Sequence, residues 1–492
     1  MATARTQTRP RQTKRGAEMF RALAHRNFRL FWTGAFLSNA GTWMQSVAQA
    51  WLVLQLTNSG TWLGVDNFMA TSPGLILTLV GGVIADLVDR KRLLIYTQAV
   101  AGLAALVLTV LIVTGAVRIW SVLALTFVTG CCWAVSSPSY MALTVDLVER
   151  EDLANAIALN STQFQLARVI GPVAAALTIR AFGLSGCFLA NGLSYAAIVA
   201  ALSQVRFERP GRTQGAATGE TEAAGTAANR AAVNDTTANY TTADGSAAGE
   251  AETVEAEAVA TAADAASAKA EVEARRVGGP ASLGAGRALT DRRAMWSDLV
   301  EGFRYVRGRP RVGTLLLCSA VVSLFGTPYI VLAPLFARNV YGWGETGLSL
   351  MMGTAGAGAL IGALTLAYLG DFRRKGWFVL ASSFSGGTCI VGFALVPQAT
   401  LALPLFFAVG FSMVSFFAVG NTLMQQLVTD EMRGRVMSMW ILTFIGTMPF
   451  GSFLSGAAAD RYGPRPTLAA CGLVIVLFVL TMALRNPRLR EI

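Results

Sequence analysis

The chain has 492 residues, 53% hydrophobic and only 14% charged, with a formal net charge of +11. An average soluble domain carries about a quarter charged residues, so a soluble globule is a poor reading. The basic excess argues for membrane topology rather than for nucleic acid, because Lys and Arg flank apolar runs on one side. All six cysteines (Cys131, Cys132, Cys187, Cys318, Cys389 and Cys471) lie inside apolar runs, and His25 is the sole histidine. These features argue against a disulfide-bonded secreted domain, a His/Cys zinc site and a Ser-His-Asp triad. Neither a metal nor a cofactor is expected, and most enzyme chemistry lacks its residues.

Apolar runs of about 20 residues or more predict an all-α polytopic membrane protein with twelve transmembrane helices in two six-helix sets. After a basic tail, residues 1–25, the first bundle (26–206) holds spans at 29–55, 61–85, 93–115, 119–143, 153–180 and 185–205. Residues 207–290 are rich in Ala, Thr, Gly and Glu and poor in aromatics. They bury too little apolar surface to offset ordering and are expected to form a disordered linker. Residues 291–311 place Trp296, Leu299, Val300, Phe303 and Val306 at helical spacing among charges. Such a helix lies along the membrane surface or packs against the ends of neighbouring spans. The second bundle (312–486) holds spans at 313–337, 347–369, 377–396, 400–427, 435–458 and 466–485, followed by a short tail, 487–492.

Alternate loops differ sharply in charge. Of 40 Lys and Arg, only Arg118, Arg180, Arg338, Arg461 and Arg465 fall on one side, Arg168 lies within span 5, and the other 34 fall on the opposite side. The positive-inside rule then puts both termini in the cytoplasm of a cell whose inner, or plasma, membrane holds the chain. The halves also repeat. A Gly-Asp or Ala-Asp step with a basic cluster follows span 2 (Asp86, Arg90-Lys91-Arg92) and span 8 (Asp371, Arg373-Arg374-Lys375). Leu147-Val148 leading to Glu151 is echoed by Leu427-Val428 leading to Glu431. An even number of spans per half makes these parallel repeats, a construction that places a substrate path between them.

The most specific string is Gly81-Gly82-Val83-Ile84-Ala85-Asp86-Leu87-Val88-Asp89-Arg90-Lys91-Arg92. Asp86 sits at the carboxyl end of its helix, where the macrodipole disfavours an anion, so it needs a partner such as Arg90 or a neighbouring helix amino terminus. The paired glycines allow close helix approach. This string resembles the loop between helices 2 and 3 of the major facilitator superfamily, Gly-x-Leu-Ala-Asp-Arg-x-Gly-Arg-Lys. Gly82, Ala85, Asp86, Arg90 and Lys91 match; Ile84, Leu87 and Asp89 depart from it. With the string from Asp146 to Asn155 and Arg433-Gly-Arg-Val-Met-Ser, the chain resembles the exporter branch that includes enterobactin, macrolide and multidrug efflux proteins. The resemblance implies a conformational-switch role for Gly82, Asp86, Arg90, Lys91, Asp371 and Arg433. Residues 167–176 are similar to the family's antiporter motif, with alanines for three glycines, so Gly171 and Pro172 are expected to pack helices and bend span 5.

Polar side chains recur on single faces: Ser38, Thr42, Gln45 and Gln49 in span 1; Thr126, Thr129, Trp133, Ser137 and Tyr140 in span 4; Ser319, Ser323 and Thr327 in span 7; Asn421 and Gln425 in span 10. Helix-to-helix hydrogen bonding suits the Ser and Thr residues. Gln45, Gln49, Trp133, Tyr140, Asn421 and Gln425 are candidates for a wet cavity, and the resemblance implies that helices 1, 4, 7 and 10 line it. Two ionisable residues inside spans, Asp66 and Arg168, are candidates for coupling. An interfacial capping role for Asp66 is the alternative. Gly356-x-Gly358-x-x-x-Gly362 lies within an apolar helix, so close packing is a better reading than nucleotide binding. The expected function is a monomeric, proton-coupled secondary transporter that exports small hydrophobic or amphipathic molecules across the lipid bilayer by alternating access. A facilitator, an importer or a non-transporting sensor of the same fold are the alternatives.

Overall fold

The computed structural model describes residues 20–205, 301–370 and 372–485. The expected linker, Asp371 and the last tail lie outside the described residues, as do residues 1–19. Among the described residues there is no strand.

Span 1 is Arg26–Thr57, span 2 Gly60–Leu87, span 3 Arg90–Val113 and span 4 Ile119–Asp146. Spans 5 and 6 form one helical run, Leu153–Gln204, jointed at Gly183, whose φ of 71° and ψ of −172° only glycine adopts at low cost. Spans 8 to 12 are Gly344–Leu369, Lys375–Leu395, Ala399–Leu427, Asp430–Tyr462 and Pro464–Arg485. Nine of the described helical runs are long and apolar enough to cross a membrane, one of them holding spans 5 and 6. Spans 1 and 2, with 32 and 28 residues, complete the twelve.

Span 7 departs from the single helix expected over 313–337. It runs as Pro310–Gly326, breaks into short turns at Pro328–Val331 and Ala333–Leu335, and ends in a π-helical turn, Phe336–Val340. Pro328 and Pro334 lack amide protons and clash with the preceding turn, which is why the run fractures there. The freed backbone is tolerated because this segment is buried in protein. Span 11 is longer than its apolar stretch suggested. Its 33 residues extend about 50 Å, so both polar ends project past an apolar layer of about 30 Å.

Lipid tails are as apolar as leucine, so close packing and hydrogen bonds hold these helices together. Glycines mark the tightest crossings. Gly171 faces Trp43 and Ala40 of span 1, and Gly358 meets the Phe407 carbonyl of span 10. A side chain at either position would collide with a neighbour. Large apolar side chains on spans 3, 6, 9 and 12, such as Leu103, Val110, Leu193 and Leu477, are exposed, as a lipid-facing surface requires. Tyr96, Tyr368 and Trp377 near one end and Trp120 and Tyr462 near the other are also exposed, in the manner of interfacial aromatic belts.

The interior divides by end. One core joins the two halves and draws its N-half members from Met44–Leu54, Leu63, Leu108, Val122 and Ala175–Phe188, all toward the end opposite the basic loops. A second core, with Phe28, Phe31, Leu94, Leu143, Leu147, Ile198 and Leu202, lies at the basic end and contains no C-half residue. The halves therefore share an interior at one end and keep separate interiors at the other.

Candidate functional site

The seam between the halves is built from two helix pairs, span 2 with span 11 and span 5 with span 8. Starting from the end opposite the basic loops, Gly60 meets Gly456 backbone to backbone, and Gly64 meets Ser452 and Phe453. Below them the Ser452 hydroxyl donates to Asn67 Oδ1 at 2.9 Å, and Phe68 packs edge-on to Phe450. On the other pair, Gly356 lies against the Arg168 backbone, and Gln165 Nε2 donates to the Ala359 carbonyl at 3.3 Å. Arg338 of span 7 donates to the Leu54 carbonyl at 3.1 Å. Among the described residues, the seam is sealed from this end to about mid-span.

Asp66 lies two turns below that end and is buried. Gln49 Nε2 donates to both of its oxygens at 2.9 Å, and Thr126 Oγ1 donates to Oδ1 at 2.9 Å. Gln49 also donates to Thr126 at 2.8 Å, so spans 1, 2 and 4 close a triangle around one carboxyl. Among the described residues no cation pairs with it. Asp66 thus does not cap its helix; it is an isolated ionisable group among neutral donors.

Arg168 lies fifteen residues from both Leu153 and Gly183, in the middle of span 5. Its guanidinium sits 5.3 Å from the centroid of the Trp43 ring, and Nη2 donates to the Tyr329 hydroxyl at 3.5 Å. Trp43 belongs to the first half and Tyr329 to the fractured span 7 of the second, where Tyr329 packs edge-on to Phe406 of span 10. Pro172, one turn along span 5, is buried near Gly353 of span 8.

The other expected cavity residues separate into two groups. Asn191 of span 6 donates to Gln45 at 2.6 Å, and Tyr140 receives from Gln163 and donates to Asn160 within the first half. These two, with Gln49, hold helices of one half together. Trp133 and Gln425 are exposed and Asn421 is half-buried. The serine and threonine faces behave as packing groups: Ser38 reaches Gln98, Thr42 contacts Tyr195, and Ser323 donates to the Phe444 carbonyl.

At the basic end, Gly82 and Asp86 lie in the last turns of span 2, and their side chains are outside the described residues, as is Asp371. Arg90 pairs with Asp146 at 2.9 Å, and Lys91 Nζ donates to the Val205 carbonyl at 2.7 Å, capping span 6. Asp89, which replaces a glycine of the resembled loop, accepts from the Arg92 amide and starts span 3. Arg433 pairs with Asp430 one turn away in span 11. Residues 301–307 are helical and dock on the start of span 11, through Glu301 with Arg435 at 2.8 Å and Tyr305 with Thr429.

Two parallel six-helix halves with a seam sealed at one end define a major facilitator-type membrane transporter. The profile described as transmembrane secretion effector matches residues 17–230 and 285–492, and the chain belongs to that family. It is 23% identical to the multidrug efflux pump Tap of Mycolicibacterium fortuitum, over 93% of this chain and 95% of that one. It is 20% identical to macrolide efflux protein A of Streptococcus pyogenes, over 93% and 96%. A shorter match, 29% identical, pairs 34% of this chain with 42% of the staphyloferrin A transporter of Staphylococcus aureus. Among solved structures, an inward-facing bacterial homologue of the lysosomal transporter Spinster superposes with a TM-score of 0.60 at 13% identity, covering 97% of this chain and 99% of that one. The nucleoside transporter NupG does so at 0.60 and 11%, covering 93% and 98%. These relatives are transporters, not enzymes.

One site feature escaped the sequence reading. Asp460, at the far end of span 11, accepts from the Ser59 hydroxyl, the Gly60 amide, and the amide and hydroxyl of Thr61. The signal was present: Gly456-Ala-Ala-Ala-Asp460-Arg461-Tyr-Gly463-Pro-Arg465 matches the loop pattern quoted for residues 82–91 at five positions, as many as those residues do.

Proposed function

We propose that the chain is a secondary active exporter of small hydrophobic or amphipathic molecules, driven by proton entry and working by alternating access. The observation that carries the coupling is the buried Asp66 carboxyl held by Gln49 and Thr126, facing no cation among the described residues. A proton taken up there neutralises a charge that the apolar layer otherwise has to hold, which ties protonation to the arrangement of spans 1, 2 and 4. Efflux as the direction is supported by relatives named as efflux proteins over nearly the whole chain. The substrate passes between the halves, near Trp133, Asn421 and Gln425, with Gln45 and Gln49 shaping the first half's wall and Tyr140 bracing it. Gly171 and Pro172 hold the span 5 crossing, while Gly82, Asp86, Arg90, Lys91, Asp371 and Arg433 form the basic-end switch.

The chain acts as a monomer in the plasma membrane with both termini cytoplasmic, which makes the sealed end the outer one and the described conformation inward-facing. Residues 207–290 link the halves on the cytoplasmic side and, with 291–300, lie outside the described residues; the helical residues 301–307 precede span 7, which starts at Pro310. Accumulation of a fluorescent amphiphile inside inverted vesicles with an acidic lumen tests the driven mechanism. Collapse by a protonophore is expected; accumulation that continues unchanged would sink the proton coupling.

A further inference from the structure

We infer that Arg168, with Trp43 and Tyr329, forms an anion-binding subsite, so that the preferred substrates are amphipathic anions. This rests on the transport path proposed above. A cation in the middle of a membrane span costs several kcal/mol unless it is paired, solvated or functional. Arg168 sits about 22 Å from either end of span 5. That depth exceeds the reach of a side chain to the interface, so snorkelling does not relieve it. Among the described residues no carboxylate pairs with it. Its contacts are one aromatic face and one phenol oxygen at the limit of hydrogen-bond distance, which use little of the five-donor capacity of a guanidinium.

The location fits a ligand. Arg168 lies where the sealed part of the seam ends, with Gln165 and Ala359 one turn toward the basic end and exposed Phe164, Ser161 and Ile157 beyond. Its two partners come from different halves, so an anion bound there touches both. Trp43, stacked edge-on with Phe164, offers the ring surface an amphipathic molecule needs beside its charged group. Carboxylate, sulfonate and phosphate esters all suit the guanidinium fork.

The matched probes 1-anilinonaphthalene-8-sulfonate and N-phenyl-1-naphthylamine share a ring framework and differ in the sulfonate. With the full chain in nanodiscs of zwitterionic lipid, saturable energy transfer from tryptophan to each probe reports binding. Arg168→Met is expected to weaken the sulfonate probe about tenfold, or ~1.4 kcal/mol, and to leave the neutral probe within twofold; Arg168→Lys recovers most of the loss. Equal weakening of both probes, or no change in either, overturns the anion subsite while leaving the transport path intact. Absence of saturable binding of both probes to the unsubstituted protein overturns the path as well.

A second observation carries a separate inference. The geometry points to Asp460 as a latch that keeps the end opposite the basic loops closed. One carboxylate from span 11 accepts four hydrogen bonds from the first residues of span 2, about 400 positions away. It takes the place of a local N-cap for that helix, satisfying free amides and meeting the positive end of the dipole. The Gly60 and Gly456 backbones touch directly beneath it. Opening this end separates span 2 from span 11 and forfeits all four bonds together.

In a cysteine-free background, Asn67→Cys reports access from the latched end and Thr162→Cys from the basic end. Adding Asp460→Ala is expected to raise labelling of the first by an impermeant maleimide about tenfold and to lower labelling of the second. Joining Ser59→Cys to Asp460→Cys with a short crosslinker should stop transport reversibly. Unchanged labelling at both reporters, or undiminished transport by the crosslinked protein, overturns the latch.

Discussion

At the scale of single residues, ionisable groups inside the spans divide by the partners they found. Asp89 and Lys91 sit at helix ends and perform end chemistry: one starts span 3, the other closes span 6. Asp89→Ala is expected to cost about 1 kcal/mol, the ordinary loss of an N-cap, read as a lower thermal midpoint in detergent with transport retained. Asp66 is different because Gln49 and Thr126 are neutral and the apolar layer surrounds them. Asp66→Asn preserves shape and removes the titratable group, so proton-driven transport should vanish while saturable substrate binding survives. Loss of both would mean that Asp66 only holds the helices. The sequence revealed these residues as anomalies in apolar runs. It did not reveal that Gln45 and Tyr140 are consumed by Asn191, Asn160 and Gln163, because those partners lie on other helices.

At the scale of elements, twelve helices were legible because a lipid layer demands long apolar runs, and ten of them match in type and place to within a few residues. Span 7 was not, since proline punctuation inside a buried membrane segment reads as ordinary apolar sequence until its neighbours are seen. The joint at Gly183 was read as a loop and is a single residue. Glycines carry opposite consequences according to what faces them. Gly358→Val meets the Phe407 backbone and is expected to abolish recovery of monodisperse protein. Gly434→Ala meets nothing and lies in a helix, so it should raise the thermal midpoint, by up to about 1 kcal/mol of stability. Equal behaviour of the two variants would contradict the packing assigned to span 8.

At the scale of the whole molecule, the two interiors are asymmetric: one core is shared by the halves and the other contains no second-half residue. The alternating access proposed above requires that this asymmetry reverse during the cycle. Orientation is testable directly: in a cysteine-free background, Ala116→Cys should react with an impermeant maleimide in intact cells, and a cysteine in the linker, such as Ser246→Cys, only after permeabilisation. The reverse pattern would invert the proposed topology. By itself the sequence determined what depends on composition along the chain: a membrane solvent, the count of spans and the internal repeat. The tertiary structure alone decided which polar groups meet and where the halves seal. Those contacts join residues hundreds of positions apart, Asp460 to Ser59 above all, and no periodicity within one helix encodes its neighbour in another.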